Sequence, residues 1–311
     1  EMEPSNHTRV TEFIMLGLFD HPRHQGLFFA LFLGIYIVVL MGNSLIIVAV
    51  VLHPPLHTPM YFLIANLATV DILCTSSVLP QMLKNLMQET QTISFGGCIA
   101  QLFFFTFSAG TELVLLTVMS YDRYVAICHP LRYALLMSKR ISINLAAGVW
   151  MLGVFNSLVN TLLVLRLDFC GPNLIQHFFC EFPTTLALSC SSTYLNEIMV
   201  YMADICLAMG NFLLTVLSYS FIIITILKIQ SAKGKQKAFS TCSSHLLVVT
   251  LYYSSIFYTY IQPTSSNTLD NNRTAAVMYT LVTPTLNPLI YSLRNKQVKV
   301  GVRKIFPFTP T

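Results

Sequence analysis

The run MSYDRYVAIC, residues 119–128, decides how this chain is read. Asp122 and Arg123 stand side by side at the end of an otherwise apolar stretch that begins near residue 98. A charged pair there can mark a helix end, an ion site within a bilayer or a switch. The choice depends on what surrounds it.

The chain has 311 residues, 54% hydrophobic and only 10% charged, with a mean hydropathy of +0.65. Soluble domains carry about 25% charged residues, so most of the outer surface must face lipid. A spanning helix needs roughly 20 mainly apolar residues. Seven windows qualify: 27–50, 60–86, 98–127, 141–165, 198–227, 238–261 and 275–293. The third, fifth and sixth hold more Ser, Thr, Tyr and charge than lipid tolerates, which predicts a bundle with a polar interior. The expected fold is an all-α membrane protein, a seven-helix bundle over 27–293. Its helices are expected at about 27–51, 59–87, 97–129, 140–165, 196–228, 237–262 and 273–293, with a long outer loop at 166–195. Residues 1–26 read as an outer tail and 294–311 as an amphipathic helix and inner tail. No repeat between the halves suggests a transporter built from inverted repeats.

Lys and Arg set the orientation. Arg132, Lys139 and Arg140, then Lys228, Lys233, Lys235 and Lys237, then Arg294, Lys296, Lys299, Arg303 and Lys304 fall on one side. The other side holds Lys84, Arg166 and Arg273, diluted by Glu89, Asp168, Glu181 and Asp270. The positive-inside rule makes the first side cytoplasmic and the N-terminus external. The first inner loop, HPPLH at 53–57, carries neither Lys nor Arg and contributes nothing to this. The net charge of +5 reflects the asymmetry and calls for no nucleic-acid partner. The polar first 26 residues lack the apolar core of a cleavable signal, so the first helix is expected to serve as an uncleaved one. Glu1 ahead of Met2 suggests a native start at Met2. Asn6-His7-Thr8 is a glycosylation sequon on the expected outer side; a second, at Asn272, abuts a helix.

Cys98, Cys170, Cys180 and Cys190 lie on the outer side, where oxidation is permitted. Four cysteines allow three pairings. Cys98 can tether the long loop through Cys180, and Cys170 with Cys190 would then close that loop on itself. Cys74, Cys128, Cys206 and Cys242 read as apolar thiols within helices.

Four motifs in order now carry a resemblance: PMYFLIANLATVD (59–71), MSYDRYVAICHPLRY (119–133), KAFSTCSSHL (237–246) and PTLNPLIYSLRN (284–295). Together they resemble the olfactory receptors, a branch of the rhodopsin-like G-protein-coupled receptors, over nearly the whole chain. The short N-terminal tail and HFFCEFP (177–183) look like the tetrapod-type subgroup. Ser120 stands where that family usually has Ala, and Ser254 where Gly is common. Relative to other rhodopsin-like receptors the sixth helix lacks a Cys-Trp-x-Pro kink; Tyr253 occupies the neighbourhood of the tryptophan and the first proline is Pro263. Any switch there works without a mid-helix proline.

Deep in the second and third windows sit Asp71 and Glu112, the latter eleven residues before Arg123. A lone charge at that depth costs on the order of 3 kcal/mol. Two neighbouring carboxylates are reconciled by a shared proton or a bound Na⁺, helped by Asn43, Ser108 and Asn287; a protonated staple between helices is the alternative. No other cofactor is expected. At the inner edge Asp122 can hold Arg123 by a charge-assisted hydrogen bond. Tyr219 and Tyr291 are placed to receive Arg123 when the bundle opens, Pro288 after Asn287 makes local rearrangement cheap, and Tyr124 and His245 complete the expected switch. The basic start of the sixth helix suits an acidic or polar partner on the inner face, besides its role in topology. Val298, Val302, Ile305 and Phe306 recur near helical spacing, as on a helix lying on the inner leaflet.

At the outer end Leu102, Phe105, Thr106, Ala109, Gly110 and Leu113 share a face of the third helix. Small Ala109 and Gly110 leave room for a ligand or serve close helix packing. Asp204, Leu207, Tyr253, Ile256, Phe257, Tyr260, Val277 and Thr280 would complete a mostly apolar pocket, with Phe179 as lid. Asp204 can pair with an amine, donate to an oxygen-bearing odorant, or staple helices. His177 and Cys206 are too far separated to make metal-assisted binding more than a minor alternative.

The resemblance implies an odorant receptor at the plasma membrane, taking a small volatile and activating a stimulatory, olfactory-type G protein that raises cyclic AMP. Alternatives are a rhodopsin-like receptor for a non-volatile metabolite and, from another class, a proton-coupled transporter or channel using Asp71 and Glu112. No nucleophile–base set or metal-ligand spacing supports an enzyme.

Overall fold

The computed structural model describes residues 10–18, 25–170, 173–260, 268–294, 298, 300 and 301. The side chains of Asp204, Thr259, Tyr260, 268–272 and 292–294 lie outside that description. Among the described residues, five helical stretches are long and apolar enough to cross a membrane: α1 (Gln25–Leu52), α2 (Pro59–Leu86), α3 (Phe95–Cys128), α5 (Lys139–Val164), and the continuous run Tyr194–Lys228. That run comprises α7 (Tyr194–Ala203), a π-helical turn at Asp204–Met209, and α8 (Gly210–Lys228). Seven such stretches were expected. The sixth, α9, is helical over Ala232–Tyr260, but its first turns carry three lysines and a run of Ser and Thr. The seventh is divided into α10 (Thr268–Val277), a π turn at Met278–Val282, and α11 (Thr283–Arg294). The short helices α4 (Tyr133–Leu136) and α6 (Phe182–Leu186) lie in the loops.

The helix starts have local causes. Pro59 opens α2, where a missing amide hydrogen costs nothing. The Ser94 hydroxyl accepts from the Gly97 amide at 3.1 Å and the Ser138 hydroxyl from the Ile141 amide at 3.4 Å, capping α3 and α5. α9 starts five residues before its expected position because Ala, Lys and Gln are good helix formers that need no bilayer.

α3 is the central helix, packed by α2, α5, α8 and α9. One core fills the half that holds MSYDRYVAIC, with Leu63, Leu67, Leu116, Met119, Val248 and Tyr291. A second fills the opposite end, with Phe13, Met82, Ile93, Phe178 and Phe179. There the N-terminal segment is no loose tail. Residues Glu12–Met15 form β1, flanked by antiparallel β2 (Thr92–Ser94) and parallel β3 (Leu174–Ile175). Alternation puts Phe13 and Met15 inside and Glu12 and Ile14 outside. The disulfides Cys98–Cys180 and Cys170–Cys190 tie the long loop down beside this sheet. Past α11, Val298 and Gly301 are buried, Gly301 packing on Leu56 and Ala49; the other residues of the expected amphipathic helix lie outside the described residues, as does Asn6.

α3 and α5 meet closely because Gly153 lacks a side chain. A Cβ there would press on the Thr111 hydroxyl and come within 3.3 Å of the Phe107 carbonyl oxygen. Thr111 cannot easily yield, since its hydroxyl donates to that carbonyl at 2.6 Å. Gly153→Ala is therefore expected to cost about 1–3 kcal/mol by overpacking, read as a lower melting temperature in detergent; an unchanged value would contradict so close an approach.

Candidate functional site

The latch forms at the end of α3. Arg123 donates to Asp122 Oδ2 from Nε at 3.1 Å and from Nη2 at 2.6 Å, and Nη1 donates to the Thr241 carbonyl on α9 at 3.3 Å. The Tyr133 hydroxyl of α4 donates to Asp122 Oδ1 at 2.7 Å. Asp122 is fully buried and Arg123 nearly so. The pair can be buried because every charged atom is met by a charge-assisted hydrogen bond. Burial first, and then the charge of Asp122, push the Tyr133 phenol above its usual range, so it remains a donor. The Tyr219 hydroxyl pairs with His245 Nδ1 at 2.6 Å rather than with Arg123. The Tyr291 hydroxyl has no hydrogen-bond partner among the described residues. Tyr124 turns away, to His129 Nε2 at 3.1 Å.

Midway along the bundle, Asn287 Nδ2 donates to both oxygens of Asp71, at 3.1 and 3.0 Å. Glu112 lies within electrostatic reach of Asp71. Its Oε1, like the side-chain oxygens of Asn43 and Asn287, finds no donor among the described residues. Buried acceptors without donors on Glu112 and Asn287, near the Asp71 carboxylate, suit a shared proton or a hard cation. Ser108 spends its hydroxyl on the Phe104 carbonyl at 2.8 Å.

Proline chemistry explains two further contacts. A proline cannot donate to the carbonyl four residues earlier. Pro288 therefore frees the Pro284 carbonyl, which accepts from Asn43 Nδ2 at 3.2 Å. Pro284 likewise frees the Thr280 carbonyl, which accepts from the Thr75 hydroxyl at 3.4 Å. Thr75 was missed from sequence; the signal was present, since each proline in a helix leaves a carbonyl that a neighbouring helix must satisfy.

Nearer the outer end, a cavity of about 350 Å³ lies between the Tyr194–Lys228 run and α9. Ile205, Ala208, Met209, Phe212, Tyr253, Ile256 and Phe257 wall it, and the π turn supplies the first three. The Phe212 ring is 5.1 Å from Tyr253 and 4.9 Å from Phe257, centroid to centroid. These three also wall a second cavity of about 320 Å³ that reaches Tyr219, so an aromatic partition separates the outer cavity from the switch.

Comparison with known proteins now decides the family. A model described as "Olfactory receptor" matches residues 32–308. Olfactory receptor 13G1 of Homo sapiens is 55% identical over 303 residues, 97% of this chain and 99% of that protein. Olfactory receptor 13A1 of Homo sapiens is 55% identical over 304 residues, covering 98% and 93%. Olfactory receptor 5AR1 of Mus musculus is 44% identical over 309 residues, covering 99% and 100%.

The chain belongs to the olfactory receptor family. It is thus a G-protein-coupled receptor and a multi-pass membrane protein of the plasma membrane, in a family that takes small-molecule ligands and couples to G proteins.

The receptor brings together only part of the pocket read from its sequence. Tyr253, Ile256 and Phe257 share the cavity wall. Phe105 instead packs on Phe179, at 4.9 Å, and Tyr279, at 5.9 Å, under the outer cap beside Val277. Leu102 is buried against Val164 and Phe182, and Gly110 faces Asn156, so both serve packing towards α5. Ala109 accepts from the Tyr252 hydroxyl through its carbonyl at 3.3 Å. Thr280 turns its hydroxyl to the Ala276 carbonyl, Thr106 is half-buried, and Leu207 is half-buried and not part of the wall that Ile205 and Ala208 help form. The side chains of Asp204 and Tyr260 lie outside the described residues. The sequence reading also missed Phe212 and the π turn, whose i→i+5 bonding leaves no residue signature.

In the outer cap, Glu181 accepts from the Tyr279 hydroxyl at 3.5 Å and lies 3.8 Å from His177 Nε2. Burial pushes its carboxyl up to about 7 from 4.5, opposed by the Tyr279 hydrogen bond. Below 4.5 the group is neutral folded and unfolded; between 4.5 and about 7 the unfolded chain ionises first, so its contribution destabilises progressively as pH rises, then levels off. Glu181→Gln should remove that slope, so the melting-temperature difference from wild type grows between those pH values; parallel profiles would contradict it.

Proposed function

We propose that the chain is a seven-span odorant receptor, N-terminus outside, that binds a small, mostly apolar volatile in the outer half of the bundle. It activates a stimulatory, olfactory-type G protein and raises cyclic AMP. The observation that carries this reading is the pairing of an apolar cavity against α9 with an arginine that holds the same helix at the other end, through Thr241. A ligand works by favouring the state in which that bond is released. The aromatic partition of Phe212, Tyr253 and Phe257 is the route between them. Tyr291, with its unengaged hydroxyl, and Tyr219 then receive Arg123. An apolar wall suits an uncharged ligand of small size.

The buried carboxylate pair fits a Na⁺ ion or a shared proton that stabilises the silent state. Asp71, Glu112, Asn43 and Asn287 would hold it, the ion supplying the positive charge that the orphaned oxygens otherwise lack.

A cyclic AMP assay against a chemically diverse volatile panel tests the function. Responses to apolar volatiles are expected, and Ile256→Trp, which fills the cavity, should raise the effective concentration about tenfold or more, equivalent to about 1.4 kcal/mol. A panel with no responder, or a variant with an unshifted response, would contradict the assignment. For the ion, replacing N-methylglucamine by Na⁺ at constant ionic strength should raise the melting temperature of the ligand-free receptor, and Asp71→Asn should abolish the rise. Equal values in both salts exclude the cation and leave the shared proton.

A further inference from the structure

A further cavity in the described part of the receptor lies away from both the ligand wall and the carboxylate pair. It measures about 660 Å³ and sits between the ends of α1, α2 and α5 and the loop helix α4, at the latch end. Its lining is divided. Lys139, His57 and Ser138 supply polar groups, while Val51, Phe62 and Ile143 supply hydrocarbon. Lys139 is its cation, the lining includes no carboxylate, and exposed Arg140 follows next in the chain. Val51 and Ile143 are 63% and 45% exposed, on the face that lipid covers. A cavity whose lining carries a lysine, no carboxylate and exposed hydrocarbon matches an anionic amphiphile. Anionic lipids concentrate in the cytoplasmic leaflet.

The cavity also touches the switch. Tyr133 lines it, and the Tyr133 hydroxyl is the donor to Asp122, which in turn holds Arg123. A ligand packed on the Tyr133 ring leaves that side chain no room to swing off Asp122.

We propose that this cavity is a regulatory site for an anionic phospholipid, its phosphate on Lys139 and the start of an acyl chain along Val51, Phe62 and Ile143, and that occupancy holds the latch closed through Tyr133. The proposal rests on reading this end as cytoplasmic.

The test uses the full receptor in nanodiscs of phosphatidylcholine with and without phosphatidylserine, with lipid retention read by native mass spectrometry. Wild type should retain phosphatidylserine preferentially. Lys139→Gln should lose about fivefold of that preference, the worth of one basic residue at an anionic surface. Ala134→Trp, which fills the cavity without changing its charge, should lose it too. The second readout is spontaneous nucleotide exchange on a G protein. Phosphatidylserine should slow it for wild type but not for Tyr133→Phe, which still binds the lipid. Equal phosphatidylserine retention in wild type and both cavity variants would overturn the site. Displacement by soluble glycerophosphoserine as readily as by lipid would overturn the lipid assignment. Equal slowing in Tyr133→Phe would overturn the coupling. Absence of exchange under every condition would fault the receptor reading, while the retention measurement still decides the site.

Discussion

Arg123 makes three hydrogen bonds, two to its neighbour Asp122 and one to the Thr241 carbonyl, and the third joins α3 to α9 at the switch end. Everything else in the switch is arranged around that guanidinium. Asp122 can stay buried only because Arg123 and Tyr133 satisfy both of its oxygens. Losing one partner would strand a buried charge, which is costly, whereas the intact cluster adds little net stability. Such a cluster suits a two-state device: strongly specified in geometry, inexpensive to exchange as a whole. The pairing of Tyr219 with His245 fits this, since it parks one prospective acceptor away from Arg123 while the latch is shut.

A second constraint acts at mid-bundle. Pro284 and Pro288 remove two backbone donors from the last helix, and Thr75 and Asn43 on α2 and α1 take their places. α1 comes close enough because Gly42 lies against Pro288, where a Cβ would stand 3.1 Å from the ring. Asn287, between the prolines, binds Asp71. The segment that can most readily change its backbone is thus wired to the carboxylate pair and, one turn on, to Tyr291. Ligand, ion and latch can bias one another through this stretch without a proline in α9.

Much of this was legible in the residues. Charge depletion, seven apolar windows and the lopsided distribution of Lys and Arg point to a multi-pass bundle, and the adjacency of Asp122 and Arg123 predicts their pairing. The depth of Asp71 and Glu112 marks them as abnormal without any structure. What escaped depends on three-dimensional contact. On α3 the pattern put Leu102 on the pocket face and left Gly110 open between making room and packing, because a central helix is apolar on every side and periodicity does not say which face meets a cavity and which meets α5. The π turn at Asp204–Met209 shifts the register of the helix and so redraws the cavity wall. β1 is too short to stand out in a polar tail; its pairing with β2 and β3 and the contacts of Phe13 with Phe95 and Phe169 show why it is ordered.

The central claim is that ligand binding in the outer half releases α9 from Arg123. Pulsed electron–electron resonance between spin labels at Leu135 on α4 and Phe239 on α9, both exposed, measures that release most directly in a background without Cys128 and Cys206. The account predicts a single short distance in the ligand-free receptor and a longer one when an active odorant and G protein are added, with Arg123→Ala shifting the ligand-free population towards the longer distance. A distance distribution that stays the same while cyclic AMP signalling responds to the odorant would contradict it.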